Sequence, residues 1–553
     1  MLLLLSLLIV ILTIPFSIIL ANEDKQNLYV FSKQLIFGVL VISSLALIIN
    51  FLFPLNHYVT SLLIIISILI ILRYKEKFLS PVFFKFVVIQ SLFLTLILSE
   101  SNVYRPDAGL YHLPYIGILN SEKIILGLSN LHFRYAHTSI LQYFSAASNN
   151  IIFGNNGIVF AQALIAVAVI TNFLSLINRF LKKKEFGLHF YFIFFVLIFI
   201  FYKMNRYSEY GNDAPAHFLY FFLISELIII LKKKDKKLVN NLFLTLFIVQ
   251  NKILLIPVFF LNIINVNLSN IKDTIRSKKF LLLNFIFICW IIKNLLTSGC
   301  LIYPAVFTCS DSILWTDLIK TSEVSRYSEA WSKGWSDLEK FERENLEVNE
   351  FIKDFNWFDA WSKKHLKIII NIISPYIIFS VFIICFYLFK SNKKLNIFET
   401  RKYLFLLSLA FVPLLIWFIT APLFRYGYST LITFLSILFS IILVSRELDI
   451  NKVYKTSAVI IIFGLTVFIS KNILRMVNSD NNYNNYPWPK FYSMGGKNNK
   501  LSNIEIKLDG VKFYKPQEGN YCMYSKSICG NYGLSSNLKI LKKNSYLVLY
   551  LDD

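Results

Sequence analysis

The residues best suited to group-transfer chemistry lie in one stretch, residues 100–150, which follows an apolar segment ending near Leu98. Asp107 stands a few residues past that segment. A carboxylate there can act as a general base on a hydroxyl or hold a divalent cation, and basic side chains can neutralise a phosphate. We predict that Asp107 is catalytic; the alternative is that it only caps the following helix. The predicted substrate-binding residues around it, with structural contacts as the alternative for the histidines, are Arg105, Tyr111, His112, His132 and Arg134.

A second group of acidic residues occupies the short connector at residues 203–213. Glu209 and Asp213 could supply the second carboxylate of a paired site, and we predict both to be catalytic. Asp107 and Asp213 together could hold a divalent cation, Mg²⁺ or Mn²⁺. The alternative for Asp213 is helix capping, because Pro215 is favourable at a helix start. Capping leaves Glu209 unexplained.

Three further cations stand at the ends of apolar segments, where they could meet an anionic headgroup. Lys293 interrupts the end of an apolar helix, and a charge at a helix centre in a bilayer costs on the order of 2.5–3.5 kcal/mol. It could bind substrate, or its flexible side chain could reach the membrane interface. Arg425 lies on a short turn at residues 420–427. The predicted substrate-binding cations are Lys252, Lys293 and Arg425.

Apolar segments must position these residues, because the 553-residue chain is 56% hydrophobic with a mean hydropathy of +0.58. Such a composition is typical of membrane proteins. In lipid, each backbone amide must be satisfied within its own segment, which favours helices. We predict an all-α polytopic membrane protein with about 12–14 transmembrane helices, interfacial helices and a small β-rich C-terminal tail. The expected spans lie near residues 1–20, 30–50, 57–73, 82–99, 152–178, 188–203, 214–231, 239–250, 253–268, 280–297, 366–389, 402–420, 428–445 and 456–472.

One pair of expected spans, residues 239–250 and 253–268, is short on both sides of a polar turn. It could instead form a re-entrant hairpin, which is tolerated in a membrane only where protein or a cavity covers it. We divide the chain into N-terminal transmembrane helices at residues 1–80, a membrane core at 81–475 and a non-cytoplasmic tail at 476–553.

The formal net charge of +23 is spread over six basic loops. They lie near residues 73–77, 179–184, 232–237, 272–279, 390–402 and 446–455. Basic loops mark the cytoplasmic side, so this charge indicates topology and contact with membrane lipids, and we expect no nucleic-acid partner. Parity then places five segments outside the cytoplasm, at residues 100–150, 203–213, 297–365, 420–427 and 476–553. The candidate site is therefore expected on the non-cytoplasmic face of the membrane.

Cysteine and tryptophan patterns fit this sidedness. Cys300 with Cys309 and Cys522 with Cys529 form two closely spaced pairs in segments placed outside. Each pair could close a disulfide in an oxidising compartment, the alternative being unpaired thiols. Five tryptophans between residues 311 and 365 could stack on sugar rings, although anchoring at the membrane interface is favoured.

These features together resemble the GT-C superfamily of integral-membrane glycosyltransferases. In that class an acidic residue follows a membrane helix in the first large outside loop, as Asp107 does here. The Glu209 and Asp213 loop, the broken helix pair with Lys252, the SGCLIYP loop and the soluble tail are also similar to that class. A narrower likeness is to bacterial membrane proteins encoded among surface-polysaccharide genes, which share an Asp-x-x-x-Tyr-His-Leu-Pro string. The likeness covers roughly residues 80–430, and the string is matched here by Asp107, Tyr111, His112, Leu113 and Pro114.

The resemblance implies transfer of a sugar from a polyprenyl-phosphate carrier to a glycan, lipid or protein hydroxyl on the non-cytoplasmic side, in surface-polysaccharide or glycolipid assembly. Asp107 is then expected to be the base that activates the hydroxyl. Arg134, Lys293 and Arg425 are expected to stabilise the departing phosphate. The alternatives are a transporter or flippase for lipid-linked glycans, and a glycan polymerase or ligase.

Overall fold

Long apolar helices dominate the structure, a computed structural model. Ten helices in the described part of the chain are long and apolar enough to cross a membrane, and four shorter apolar helices accompany them. Each of the fourteen expected spans coincides with one of these helices, which confirms the predicted all-α polytopic class. The structure describes residues 2–21, 23, 25–99, 107–137, 139–204, 210–232, 238–265, 272, 274–389, 392–393, 397–477, 503–517, 520–524, 527–530 and 537–552.

The described elements follow one another along the chain with short connections. The helices are α1 (Leu2–Thr13), α2 (Leu28–Asn50), α3 (His57–Arg73), α4 (Lys75–Phe78), α5 (Pro81–Ser99), α6 (Leu113–Ser121), α7 (Ile140–Ala147), α8 (Phe160–Lys183), α9 (Leu188–Tyr202), α10 (Asp213–Lys232), α11 (Leu238–Asn251), α12 (Lys278–Ser298), α13 (Leu318–Ser332), α14 (Lys340–Asn345), α15 (Val348–Ile352), α16 (Phe358–Trp361), α17 (Lys367–Leu388), α18 (Ile397–Thr420), α19 (Phe424–Val444) and α20 (Ile450–Val477). The strands are β1 (Asn392–Lys393), β2 (Arg446–Glu447), β3 (Asn503–Leu508), β4 (Val511–Pro516), β5 (Leu538–Lys543) and β6 (Tyr546–Leu551).

The bundle is built around α2 and α8, which pack closely on each other and are buried over most of their length. Polar caps set where several helices begin: the Asn27 side chain accepts a hydrogen bond from the Val30 amide at the start of α2. Helices α17, α18 and α20 expose much of their apolar surface, as expected for helices that contact lipid. One continuous cluster of buried apolar residues extends from Leu2 to Leu549.

Some element boundaries differ from the predicted spans because local residues interrupt the α-helix. The span expected at residues 152–178 starts with a 3-10 helix, Gly154–Val159, before α8 begins. The chain passes so close to the Ser148 carbonyl at Gly157 that a Cβ atom there would be 1.8 Å from its oxygen. After α11, residues Ile253–Asn265 form a 3-10 helix that contains Pro257, since proline lacks the amide donor of a regular helix.

The predicted β-rich tail consists of two antiparallel hairpins, β3 with β4 and β5 with β6. The second hairpin joins the segment after α6 through a bridge between Leu126 and Val548. A further small pair, β1 with β2, links the loops before α18 and after α19. The tail therefore packs against residues 107–150 rather than standing apart from the bundle.

Helices α13 to α16 form a layer with its own small core. Ala330, Phe351, Trp357 and Trp361 are buried together there, and the Trp361 indole donates a hydrogen bond to the Pro422 carbonyl at 2.8 Å. Trp357 and Trp361 therefore pack inside the protein, where the interpretation as interface anchors does not fit. They support the turn that precedes α19, and Arg425 lies at the start of that helix.

Candidate functional site

Five segments bring charged side chains together at one end of the helical bundle. Asp107 precedes a π-helical turn, Ala108–His112, and Arg134 lies in a 3-10 turn, Phe133–Tyr135. The other members stand at the start of α10, directly after α11 and at the start of α19. We call the resulting group the mixed-charge cluster, and its members are Asp107, Arg134, Asp213, Lys252 and Arg425.

The Asp107 carboxylate lies between two guanidinium groups. Its Oδ1 is 3.4 Å from Arg134 Nη1, and its Oδ2 is 3.8 Å from Arg425 Nη1. The side chain makes no capping hydrogen bond to the following turn, so the interpretation of Asp107 as a helix cap is wrong. It is 31% exposed, which leaves the carboxylate oriented by cations and open to a ligand.

Asp213 supplies the second carboxylate and forms an ion pair with Lys252. The two residues meet because α10 begins at Asp213 and Lys252 directly follows the end of α11. The junction is fastened by a hydrogen bond from the Asn251 side-chain amide to the Asn212 carbonyl, at 3.2 Å. Lys252 is nearly buried and Asp213 is 28% exposed. The pair therefore presents one partly open carboxylate beside a fixed ammonium.

Arg425 extends the cluster towards the α13–α16 layer. Its Nη2 donates to the Tyr426 hydroxyl at 3.2 Å, and its guanidinium lies 5.2 Å from the centre of the Trp331 ring. The Lys252 ammonium is 4.1 Å from the Tyr426 ring centre. Tyr426 therefore connects the two cations, as cation–π contacts allow. Neither Tyr426 nor this role of Trp331 is evident from residue spacing, because both depend on α19 meeting α11 and α13.

His112 and Tyr111 lie beside the cluster as neutral groups. Burial lowers the pKa of His112 to about 4, although the nearby charges of Asp107 and Asp213 raise it. Its Nδ1 is 3.4 Å from the Gln142 amide nitrogen. Burial also raises the pKa of Tyr111, and the Arg134 guanidinium lies 4.8 Å from its ring centre. At neutral pH the His112 side chain is therefore uncharged, and it can donate or accept a hydrogen bond without adding charge to the site.

His132 contacts the backbone of Arg134. Its Nδ1 accepts a hydrogen bond from the Arg134 backbone amide at 3.1 Å, which caps the turn that carries the guanidinium. Burial and the charge of Arg134 lower the pKa of His132 to about 3. This position gives His132 a structural contact, the alternative considered for it, and makes it a support for Arg134.

Lys293 lies near the end of α12. Its ammonium is buried, with the Asn294 side-chain oxygen 3.2 Å away, and its charge acts on His137. Within the described residues, no ion pair joins Lys293 to Asp107 or Asp213. The side chain is only 1% exposed, so the alternative that it reaches out to the interface is wrong.

Two predicted site residues, Arg105 and Glu209, lie outside the described residues. Their predicted roles stay predictions. Both precede a described member of the cluster closely in sequence, since Asp107 follows Arg105 by two positions and Asp213 follows Glu209 by four.

A divalent cation held by Asp107 and Asp213 also stays a prediction. Among the residues that the structure describes, no group of three or more His, Cys, Asp or Glu side chains could hold a metal ion. Cationic side chains already lie against both carboxylates, with Arg134 at Asp107 and Lys252 at Asp213. A metal ion would have to compete with them, so the arrangement is better suited to an anion next to a carboxylate.

Both predicted cysteine pairs are joined. Cys300 is bonded to Cys309, in the loop after α12, and Cys522 is bonded to Cys529, in the tail. Each bond closes a loop next to the residues of the 107–150 segment, since Tyr303 packs on His137 and the Tyr135 hydroxyl donates to the Cys529 carbonyl at 3.0 Å.

A second charged group, which residue spacing did not identify, is buried within the bundle. Lys33 on α2 and Glu226 on α10 form an ion pair in which the side chains are 2% and 6% exposed. The Tyr29 hydroxyl donates to the other Glu226 oxygen at 2.8 Å, and Glu23 is 3.6 Å from the Lys33 ammonium. The available signal was a single charge within each apolar run, LYVFSKQLIFGVL and LYFFLISELIIIL. We call Lys33 and Glu226 the buried pair.

Comparison with known sequences and structures assigns the chain to a family. Residues 1–432 match the model of a domain of unknown function, DUF8201, and the chain belongs to that family. No curated protein matches it, and no solved structure matches it.

Proposed function

We propose that this member of the DUF8201 family is a membrane glycosyltransferase that takes its sugar from a polyprenyl-phosphate carrier. One observation supports the proposal above the others: the Asp107 carboxylate is partly open and lies between the guanidinium groups of Arg134 and Arg425. A general base next to phosphate-binding cations is the arrangement that transfer to a hydroxyl needs.

The proposed step moves one glycosyl group and one proton. The acceptor hydroxyl oxygen forms a bond to the anomeric carbon, and the bond from that carbon to the phosphate oxygen breaks. Asp107 takes the hydroxyl proton, and the carrier leaves as polyprenyl phosphate with one additional negative charge. Arg134 and Arg425 balance that charge, because guanidinium groups match phosphate oxygens in pairs.

Asp213 and Lys252 assist this step without taking part in the proton transfer. The Lys252 ammonium is fixed by Asp213 and Tyr426, so it offers a third positive charge to the phosphate without moving far. With three cations and two carboxylates, the cluster keeps a positive excess that favours an anionic donor. Its position at the ends of helices α10, α11 and α19 suits a carrier whose phosphate lies at the membrane surface.

The proposed setting is the inner membrane of a bacterium, with the cluster facing the periplasm. The acceptor is then a hydroxyl of a glycan, a lipid or a protein, in the assembly of a surface polysaccharide or glycolipid. Nucleotide sugars are absent from that side, which is why a lipid-linked donor suits the site. A glycan polymerase or ligase uses the same chemistry with a larger transferred group.

A reconstitution experiment tests this proposal. The full chain is placed in liposomes with a labelled polyprenyl-phosphate sugar, and release or transfer of the sugar is measured for wild type, Asp107→Asn and Asp359→Asn. Asp359 is an exposed aspartate that pairs with Lys363 on the α13–α16 layer, so it serves as the matched control. We expect Asp107→Asn to lower the rate by about 10²–10⁴ and Asp359→Asn to leave it unchanged. A wild-type protein that neither releases nor transfers sugar contradicts the proposal.

The buried pair favours a second candidate function, transport of a lipid-linked glycan. Charged residues inside a membrane bundle often mark a substrate or ion path, and Lys33 with Glu226 lies on the same helix bundle as the mixed-charge cluster. The same liposomes distinguish the two functions. Movement of the labelled lipid across the bilayer without loss of its sugar supports transport.

A further inference from the structure

The segment closed by the Cys522–Cys529 disulfide contacts the chain at two positions, Gly109 and Tyr135, which lie close in sequence to Asp107 and Arg134. At one end, the Met523 amide donates to the Gly109 carbonyl at 3.0 Å, two residues after Asp107. At the other end, the Cys529 carbonyl accepts from the Tyr135 hydroxyl at 3.0 Å, next to Arg134. The disulfide ties these two contact points together through the tail.

The contact at Gly109 is tight. A Cβ atom on Gly109 would be 2.3 Å from the Met523 sulfur and 3.2 Å from the Tyr521 ring, so the tail approaches the π-helical turn as closely as a glycine permits. Met523 is 1% exposed. Its side chain therefore fills the space beside the turn that begins at Asp107.

Met523 also adopts a backbone conformation that its residue type disfavours. Its φ angle is +53°, in the left-handed region that a residue with a Cβ atom enters rarely. Such conformations persist when the surrounding structure determines them, and they are concentrated at functional sites. At Met523 this conformation coincides with the hydrogen bond that its amide donates to the Gly109 carbonyl.

The contact at Tyr135 is equally enclosed. Tyr135 is fully buried, and its neighbours in the turn are Arg134 and Phe133, whose ring lies 5.4 Å from the Arg134 guanidinium. The disulfide segment is itself held by the first hairpin, because the Tyr514 amide donates to the Ile528 carbonyl at 2.8 Å and the Gly530 amide donates to the Tyr514 carbonyl at 3.1 Å. A displacement of this segment would therefore also displace the turn that carries Arg134.

The tail lies beyond residues 1–432, which match the family model, and it contacts the chain at Gly109 and Tyr135, close in sequence to Asp107 and Arg134. We infer that the disulfide-closed segment is a positioning element that sets Asp107 against Arg134, with Met523 as its principal positioning residue. Reduction of the bond by a thiol converts the disulfide to two thiols and the reductant to its own disulfide. The released segment then no longer fixes Gly109 relative to Tyr135.

Hydrogen–deuterium exchange tests this inference independently of any enzymatic activity. The full chain is purified with the substitutions Cys300→Ser and Cys309→Ser. Of the two disulfides that the structure describes, this variant keeps only Cys522–Cys529. The variant is reconstituted in liposomes before dithiothreitol is added. Because the protein folds with the bond intact, a failure to fold does not obscure the result. We expect amide exchange at residues 107–112 and 133–135 to rise by about tenfold, while α10 stays unchanged.

The inference is overturned if exchange rises only in the tail, or if dithiothreitol changes nothing at residues 107–135. The matched control carries Cys522→Ser and Cys529→Ser and keeps the Cys300–Cys309 bond. Its exchange at residues 107–112 should already be fast before dithiothreitol is added, and slow exchange there would equally overturn the inference.

A kinetic arm rests on the proposed transferase function. Met523→Ala, which empties the space beside Gly109, should lower kcat about tenfold with little change in the KM for the lipid donor. Met523→Leu, which keeps an apolar side chain of similar volume, should restore the rate. Equal rates for Ala and wild type would overturn the positioning role of Met523. If the oxidised protein shows no transfer at all, the proposed function fails while the exchange measurement still decides the inference.

Discussion

Helix α10 carries a carboxylate of each charged group, Asp213 in the mixed-charge cluster and Glu226 in the buried pair. The two residues are 13 positions apart, which is about 20 Å along a helix. Asp213 is 28% exposed and its cluster contains more cations than carboxylates. Glu226 is 6% exposed and is bonded to both Lys33 and Tyr29.

The comparison shows that the same residue types have different roles, which depend on their exposure and on the balance of charge around them. A partly open cluster with a positive excess can accept an anion. A closed pair with its hydrogen bonds satisfied fixes α2 against α10, and the loss of one partner leaves an uncompensated charge in an apolar setting. Three measurements test this distinction.

The largest expected effect concerns the buried pair. Glu226→Gln should lower the free energy of unfolding by about 3–5 kcal/mol, because Lys33 then stays buried and keeps only the more distant carboxylate of Glu23, 3.6 Å away. Asp213→Asn should cost less, about 1–2 kcal/mol, since its site is partly open to water. Denaturation of the purified proteins in detergent measures both. A double variant, Lys33→Met with Glu226→Leu, should recover most of the loss; equal destabilisation by Glu226→Gln and Asp213→Asn would remove the distinction.

The second effect concerns pH and the neutral histidine of the site. Burial lowers the pKa of His112 from its ordinary 6.5 to about 4, so between these values the unfolded chain binds a proton that the folded chain does not. Stability should therefore be constant above about pH 6.5 and fall as the pH drops towards 4, by about 3 kcal/mol at most from this group. Thermal unfolding at a series of pH values measures the slope.

His112→Asn should flatten that slope. His132 and His137 contribute in the same direction, because burial lowers the pKa of each, to about 3 and about 4 respectively. A slope that is identical in wild type and His112→Asn would contradict the neutral, buried state of this side chain.

The smallest effect concerns the geometry of one cation. Arg425→Lys keeps the charge but loses the planar group that reaches Asp107, Tyr426 and the Trp331 ring together. We expect the KM for the lipid-linked sugar to rise about tenfold with a stable fold. Arg446→Lys, at the opposite end of α19, is the matched control. An unchanged KM for Arg425→Lys would mean that charge alone matters at this position.

Much of the fold follows from local sequence. Each apolar segment near 20 residues became a helix, because a backbone in lipid has to satisfy its own hydrogen bonds within the segment. The β-rich tail followed from short alternating stretches such as NIEIKLDGVKFY. Boundaries were less predictable, since Gly157 and Pro257 act through the close approach or missing donor that they create.

The candidate site was predicted as a set of residues and not as an arrangement. Sequence position indicated Asp107 and Asp213 because each stands next to an apolar segment, and it indicated Arg134 as part of the amphipathic stretch that follows Asp107. It also indicated Lys293, whose ammonium lies 3.2 Å from the Asn294 side-chain oxygen and forms no ion pair with Asp107 or Asp213 among the described residues. A loop position shows which end of the bundle a residue occupies, while its distance from another loop depends on how the helices pack.

Hydropathy and segment length act locally, so the sequence was sufficient to predict a bundle of lipid-spanning helices with charged residues at the helix ends. Three contacts could be known only from the folded protein: Asp107 lies between Arg134 and Arg425, Lys33 pairs with Glu226, and the tail contacts Gly109. Those contacts join residues from 27 to more than 400 positions apart. Such pairings depend on the packing of the whole bundle, which no local pattern of residues encodes.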